Sequence, residues 1–144
     1  MISIDTNLLI YAHRSALAEH RAARRALEEA IEDPRGCGVA LFCLAEFWSV
    51  VTHPASAGRP SAPREASQFL AALTAAGLAV WVPGPGFAER LTQLATDLRV
   101  AGARIFDLQI ALASFDNGAS EIWTHDANFS AIPGLAVIDP LAST

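Results

Sequence analysis

Lysine is missing altogether: all ten basic side chains are arginine. That absence removes several α/β enzymes that begin as this chain does, with an aspartate closing a first apolar strand. A phosphatase of the haloacid dehalogenase type and a phosphoacceptor receiver domain both need a lysine. The former also needs a second aspartate two residues on, where Asn7 stands. No Gly-rich turn follows the first apolar run and no P-loop occurs, which excludes the corresponding dinucleotide and nucleotide sites. Cysteine is scarce. Cys37 and Cys43 lie among apolar neighbours in no CxxC or zinc spacing, so both are expected to be buried, reduced thiols. No apolar run is long enough to span a bilayer. Met1 leads directly into Ile2-Ser3-Ile4 without a basic n-region, so no signal peptide is expected and a cytoplasmic location is. Basic residues are outnumbered, 10 against 15 acidic, and the net charge of -5 argues against tight non-specific nucleic-acid binding by phosphate neutralisation.

What is present suffices for a core. The 144 residues suit one compact domain, 1–144, and 52% of them are hydrophobic. Apolar spacing and breakers predict alternating strands and helices. Ile2–Ile4 reads as a buried strand and Thr6–Tyr11 as the start of a helix. Leu17–Ile31 carries apolar residues at helical spacing. Gly38–Leu41 reads as a strand, Leu44–Thr52 as a buried helix, and Ala55–Ala62 as a loop. Pro63–Ala76 is a predicted helix with Gly77 as its stop, followed by a strand at Leu78–Val82. Helices are expected at Phe87–Val100 and from about Asp107 to Phe115. Strands are expected at Glu121–Thr124 and Ala136–Ile138. The alternation implies an α/β fold, a three-layer α/β/α sandwich around a mostly parallel sheet.

In such sheets ligands bind beyond the carboxyl ends of the strands. Asp5 follows the first strand, Asp126 follows the fourth, and Asp107 opens a helix after a loop. Glu46 sits inside an apolar helix between Ala45 and Phe47, where a carboxylate must be paired, protonated or bound to a cation. Each residue has an ordinary structural reading. Asp5 and Asp107 can be N-caps, Asp126 a turn residue, and Glu46 the partner of an arginine or a residue at a wet edge. Together, four acids at one end of one sheet repel one another and call for a cation. All-oxygen donors with no histidine cluster suit Mg²⁺, or Mn²⁺ as its substitute, rather than zinc. Two such ions about 4 Å apart can hold the attacking and leaving oxygens of a phosphodiester.

The blocks around these acids carry a resemblance. Ile4-Asp5-Thr6-Asn7-Leu8-Leu9-Ile10-Tyr11-Ala12 resembles the opening of VapC-like PIN-domain toxins. Ala45-Glu46-Phe47 with Val51-Thr52-His53-Pro54 resembles their second acidic block, and Phe106-Asp107-Leu108-Gln109-Ile110-Ala111 the third. Trp123-Thr124-His125-Asp126-Ala127-Asn128-Phe129 is similar to the fourth, and Pro133-Gly134-Leu135 to Asp139-Pro140-Leu141 to the tail. The resemblance implies a PIN-like sandwich and an endoribonuclease that hydrolyses RNA with metal-activated water, serving as the toxin of a toxin–antitoxin pair. It makes Asp5, Glu46 and Asp107 the metal ligands and catalytic acids, Asp126 their support, and Thr6 and Thr124 hydroxyls behind them. Asn128 stands where many relatives carry a further aspartate, so it offers an oxygen without charge. Implied partners are an RNA substrate, a VapB-like antitoxin that blocks the acidic pocket, and a second copy of the chain in a homodimer. The same motifs also fit a PIN nuclease of RNA processing or DNA cleavage, or a silent domain that binds RNA or protein.

Other residues are weighed from the sequence alone. Arg104, three residues before Asp107, is the best candidate for RNA phosphate, ahead of Arg14 and Arg99. Of His13, His20, His53 and His125, only His125 lies near the acids. Trp48, Trp81 and Trp123 read as core. Asp116 reads as a helix terminator, and Glu89 and Asp97 as a solvated face.

Overall fold

The computed structural model describes residues 1–56, 59–130 and 132–143. Positions 57 and 58 of the expected Ala55–Ala62 loop, together with 131 and 144, lie outside the described residues. Five three- or four-residue strands build the sheet: β1 (Ile2–Ile4), β2 (Cys37–Ala40), β3 (Ala79–Trp81), β4 (Glu121–Trp123) and β5 (Ala136–Ile138). Among the described residues six helices connect them: α1 (Thr6–His13), α2 (His20–Glu32), α3 (Leu41–Thr52), α4 (Pro63–Ala76), α5 (Phe87–Asp97) and α6 (Arg104–Asp116).

The strand order is β3-β2-β1-β4-β5, and every neighbouring pair is parallel. The sheet expected to be mostly parallel is therefore wholly so. Helices α1 to α4 pack on one another and α5 packs on α6, giving the α/β/α sandwich. Apolar side chains from both helical sets fill the core with no exposure: Ile2 and Ile4 of β1, Leu8 of α1, Phe47 and Val51 of α3, Leu108 of α6 and Ile122 of β4. Strands β1, β2 and the centre of β4 are buried, as expected of a sheet covered on both faces. Among the described residues no helix is long and apolar enough to cross a membrane.

Some boundaries differ from the sequence pattern for physical reasons. Helix α3 starts at Leu41, immediately after β2, so no residue separates strand from helix. Helix α2 starts at His20 because the chain from Arg14 to His20 is taken up by turns, with the Leu17 amide on the Arg14 carbonyl and the His20 amide on Leu17. Helix α5 stops at Asp97 because Arg99 adopts φ 53°, a left-handed residue that ends the helix while the Val100 amide bonds back to Ala95. Helix α6 starts at Arg104, so Asp107 is its fourth residue rather than its cap.

Two close fits hold neighbouring elements together. A Cβ on Gly38 would lie 2.3 Å from the Trp81 ring, so the buried indole of β3 rests directly on the bare backbone of β2. At the other end Arg14, weighed as a phosphate contact, turns inward. Its guanidinium donates to the carbonyls of Val51 and Arg59 and to the Ser56 hydroxyl, and so ties the end of α3 to the segment after it. Of the three tryptophans, Trp81 is buried and Trp123 half-buried, but Trp48 is 38% exposed and is not a core residue. Asp116 ends α6 as expected and also holds Arg90 in a two-point ion pair.

The Gly38–Trp81 contact yields a measurable expectation. Gly38→Ala forces the ring or the strand to move and should cost about 1–3 kcal/mol in urea unfolding. A loss below about 0.5 kcal/mol would show that the indole gives way freely.

Candidate active site

The chain builds β1, β2 and β3 outward in one direction, then crosses to β4 and β5 on the other side of β1. The order reverses between β1 and β4, and the crevice at their carboxyl ends is where an open α/β sheet offers a ligand site. Residues from both strands face each other there: Asp5 leaves β1, and Thr124, His125 and Asp126 leave β4.

Asp5 is 7% exposed and caps α1, its Oδ1 accepting the Thr6 amide at 2.8 Å. The N-cap reading is thus correct, but it uses only one oxygen. Oδ2 accepts the Thr124 hydroxyl at 2.7 Å. Burial pushes the Asp5 carboxyl up to about 6 from 3.8; these two hydrogen bonds oppose the shift, and the charges of Glu46 and Asp107 add to it.

Glu46 projects from α3 and accepts the Thr6 hydroxyl at 2.5 Å. Among the described residues it has no arginine partner, so the ion-pair reading does not hold. Asp107 is half-buried in the first turn of α6, where the helix dipole favours an anion. Burial raises its carboxyl, as do Asp126 and Glu46, while the Ser130 backbone and Arg104 pull it down. Asp126 is exposed, and its Oδ1 accepts the Asn128 amide at 2.9 Å, so the turn reading is also correct. Glu46 and Asp107 thus act on Asp5, and Glu46 and Asp126 on Asp107, which brings the four acids named from the sequence to one crevice. Among the described residues, however, no three acidic, histidine or cysteine side chains already converge into a coordination shell.

A cleft of about 480 Å³ opens beside them, lined by Ala103, Arg104, Asp107, Asp126 and Asn128. Arg104 donates through Nε and Nη2 to the Ser130 hydroxyl at 3.1 and 2.9 Å, which leaves three of its five N–H donors outside that contact. Arg99, at the end of α5, is not among the cleft residues. His125 lies beside the acids, but its ring is held by Asp139 at 2.9 Å and packs edge-on against Tyr11.

Two participants carry no role in the sequence reading. Asn7 donates to Thr124 Oγ1 and accepts the His125 amide. Ser130 anchors Arg104 and lowers Asp107. Asn7 had a signal, a carboxamide two residues beyond a strand-ending aspartate; Ser130 had none.

The PIN domain model matches residues 2–135. The ribonuclease VapC43 of Mycobacterium tuberculosis is 36% identical over 121 residues, covering 83% of this chain and 82% of that protein. The chain belongs to the PIN-domain family, and within it to the VapC ribonucleases. Solved structures share the fold. VapBC2 of Rickettsia felis, bound to a DNA fragment from its promoter, superimposes with a TM-score of 0.69 at 19% identity, over 96% of this chain and 98% of that one. VapC20 of Mycobacterium tuberculosis, described as a toxin that cleaves the sarcin-ricin loop, gives 0.68 at 16% identity, over 90% and 92%.

Asp5 gives the metal-free protein a distinct pH dependence. Its folded carboxyl titrates near 6, above the ordinary 3.8, so folding favours the protonated form. That stability is complete below the unfolded pKa and is lost as pH rises through about 6. A shift of this size corresponds to on the order of 3 kcal/mol, and Asp107 shifts in the same direction. Urea unfolding in EDTA should give lower stability at about pH 7 than at about pH 4.5, and Asp5→Asn should flatten the slope by about one proton. An unaltered slope in that variant would place the titration on another group.

Proposed function

We propose that the chain is a single nuclease domain, residues 1–144, that hydrolyses RNA internally with a divalent metal ion and acts as the toxin of a toxin–antitoxin pair. The observation that carries this reading is the placing of Asp5, Glu46, Asp107 and Asp126 about the β1/β4 crevice, where the charges of Glu46 and Asp107 act on Asp5 and those of Asp126 and Glu46 act on Asp107. The donors are all oxygens, which fits Mg²⁺ with Mn²⁺ as a substitute. Buried Asp5 keeps lone pairs beyond its two hydrogen bonds, and Glu46 keeps one oxygen free of the Thr6 contact.

Asp5, Glu46 and Asp107 hold the ion in this scheme, with Asp126 supporting. The Thr6 hydroxyl orients Glu46 and the Thr124 hydroxyl orients Asp5. Asn128 contributes a neutral oxygen to the cleft. A divalent ion at these oxygens supplies the positive charge that makes water nucleophilic near neutral pH and offsets charge building on the phosphodiester. Without a cation the acids repel an RNA phosphate; Arg104 at the cleft edge provides attraction of the right sign and a planar fork for phosphate.

The partners follow the family. Solved neighbours include VapBC2 of Rickettsia felis and a toxin–antitoxin complex from Klebsiella pneumoniae. They support an antitoxin partner for this chain; we further propose that this VapB-like partner sets a basic side chain in the acidic cleft and that the chain works as a homodimer.

RNA cleavage should require Mg²⁺ or Mn²⁺, stop in EDTA, and leave 5′-phosphate and 3′-hydroxyl ends. Cyclic 2′,3′-phosphate products would make the RNA's own hydroxyl the nucleophile instead. Glu46→Gln should abolish cleavage yet melt no lower than the parent in EDTA, because it relieves repulsion. Mn²⁺ should raise the melting temperature of the parent far more than that of the variant. A large stability loss in EDTA with an unaltered Mn²⁺ response would refute the assignment of Glu46.

Arg104→Ala offers a separate check. Removing one phosphate contact should weaken RNA binding and lower the slope of log affinity against log salt by about 0.7 for a single strand. Mn²⁺ binding should hardly change. An equal slope in parent and variant would return Arg104 to the ordinary surface.

A further inference from the structure

The Thr124 hydroxyl has no spare capacity. Its oxygen accepts Asn7 Nδ2 at 3.1 Å and the Asp126 amide at 3.1 Å, and its one proton goes to Asp5 Oδ2 at 2.7 Å. A hydroxyl offers one donor and two acceptor positions, so all three are filled. With both lone pairs taken by N–H groups, the proton can point only at Asp5. Asn7 is itself held one way round. Its Oδ1 accepts the His125 amide at 3.3 Å, so a flipped carboxamide would set NH₂ against N–H. One side chain at the start of α1 therefore grips two consecutive residues of the β4 loop, across sequence separations of 117 and 118.

We propose that Asn7 is a positioning residue of the active site, fixing the direction of the Thr124 hydroxyl and the placement of Asp126 relative to Asp5. This deepens the nuclease reading and rests on it. Asn7 acts through its neighbours: it holds the loop that carries Asp126, and it directs the proton that holds Asp5. Both acids then keep their remaining lone pairs oriented for the cation.

Removal of a partner behind a ligand commonly costs 10- to 100-fold in metal affinity or activity. Asn7→Ala should weaken Mn²⁺ binding about 10- to 100-fold by calorimetry, well below the melting temperature, and lower kcat on RNA by a similar factor. KM for RNA should change much less, because Arg104 and the cleft are left in place. Thr124→Val should do the same. The double variant should fall well short of the product of the two single effects, since Asn7 acts in part through that hydroxyl.

A readout that needs neither metal nor activity comes from the parent in EDTA. The Asp126 and His125 amides should exchange slowly with solvent, and both should speed up in Asn7→Ala and in Asn7→Ser, whose side chain is too short to reach either partner. Mn²⁺ affinity within about twofold of the parent, alongside a lowered melting temperature, would reduce Asn7 to a stability residue. Fast exchange of both amides in the parent overturns the clamp even if no variant folds. A parent that neither binds Mn²⁺ nor cleaves RNA overturns the nuclease reading and this proposal with it. An active, Mn²⁺-binding parent matched by its Asn7 variants overturns this proposal alone.

Discussion

Repulsion among carboxylates at one edge of a parallel sheet is the constraint that shapes this molecule. Asp5 is buried, Glu46 and Asp107 are half-buried, and the neighbouring carboxylates raise the cost of ionising Asp5 and Asp107. A protein optimised for stability alone would not keep them together. Hydroxyls and backbone amides make the arrangement tolerable: Thr6 for Glu46, Thr6 and Thr124 for Asp5, Asn128 for Asp126. These partners are neutral donors, so they satisfy geometry without cancelling charge. The negative field is left intact for a cation.

Several arginines are committed to partners away from that crevice. Arg14 is committed to backbone carbonyls, and Arg35 joins Asp33 to Glu121 at the amino end of the sheet. That pairing holds the Asp33 carboxyl down at about 2. Arg90 is bound to Asp116 at the far end of α6. Arg104 is the cation that lowers Asp107, and Ser130 holds it to one side.

Much of this was legible in the sequence because strand-ending polar residues are local signals. Ile2–Ile4 followed by Asp5 reads as a strand and a cap, and both are present. Glu46 stood out in the sequence as a carboxylate in an apolar helix; it is half-buried against the Thr6 hydroxyl, with no arginine partner among the described residues. The reversal of strand order between β1 and β4 was not legible, since pairing partners more than a hundred residues apart leave no periodic trace. Helix starts failed where the backbone decides. Nothing at Ala103 signals the first residue of α6, and its side chain makes no cap. Trp48 failed for another reason: an apolar helix surrounded by other helices still presents one side to solvent, and composition does not say which.

The pairing of β1 with β4 has a consequence for synthesis. Asp5 is synthesised well before the hydroxyl that holds it, because Thr124 is 119 residues later. Until β4 emerges, β1 lacks one of its two neighbours and Asp5 keeps only its own helix cap. A nascent chain, or one cut short by a premature stop, therefore carries most of the acids but not the frame that aligns them. The acidic site is thus completed only when β4 has paired with β1, among the last events in the assembly of the sheet.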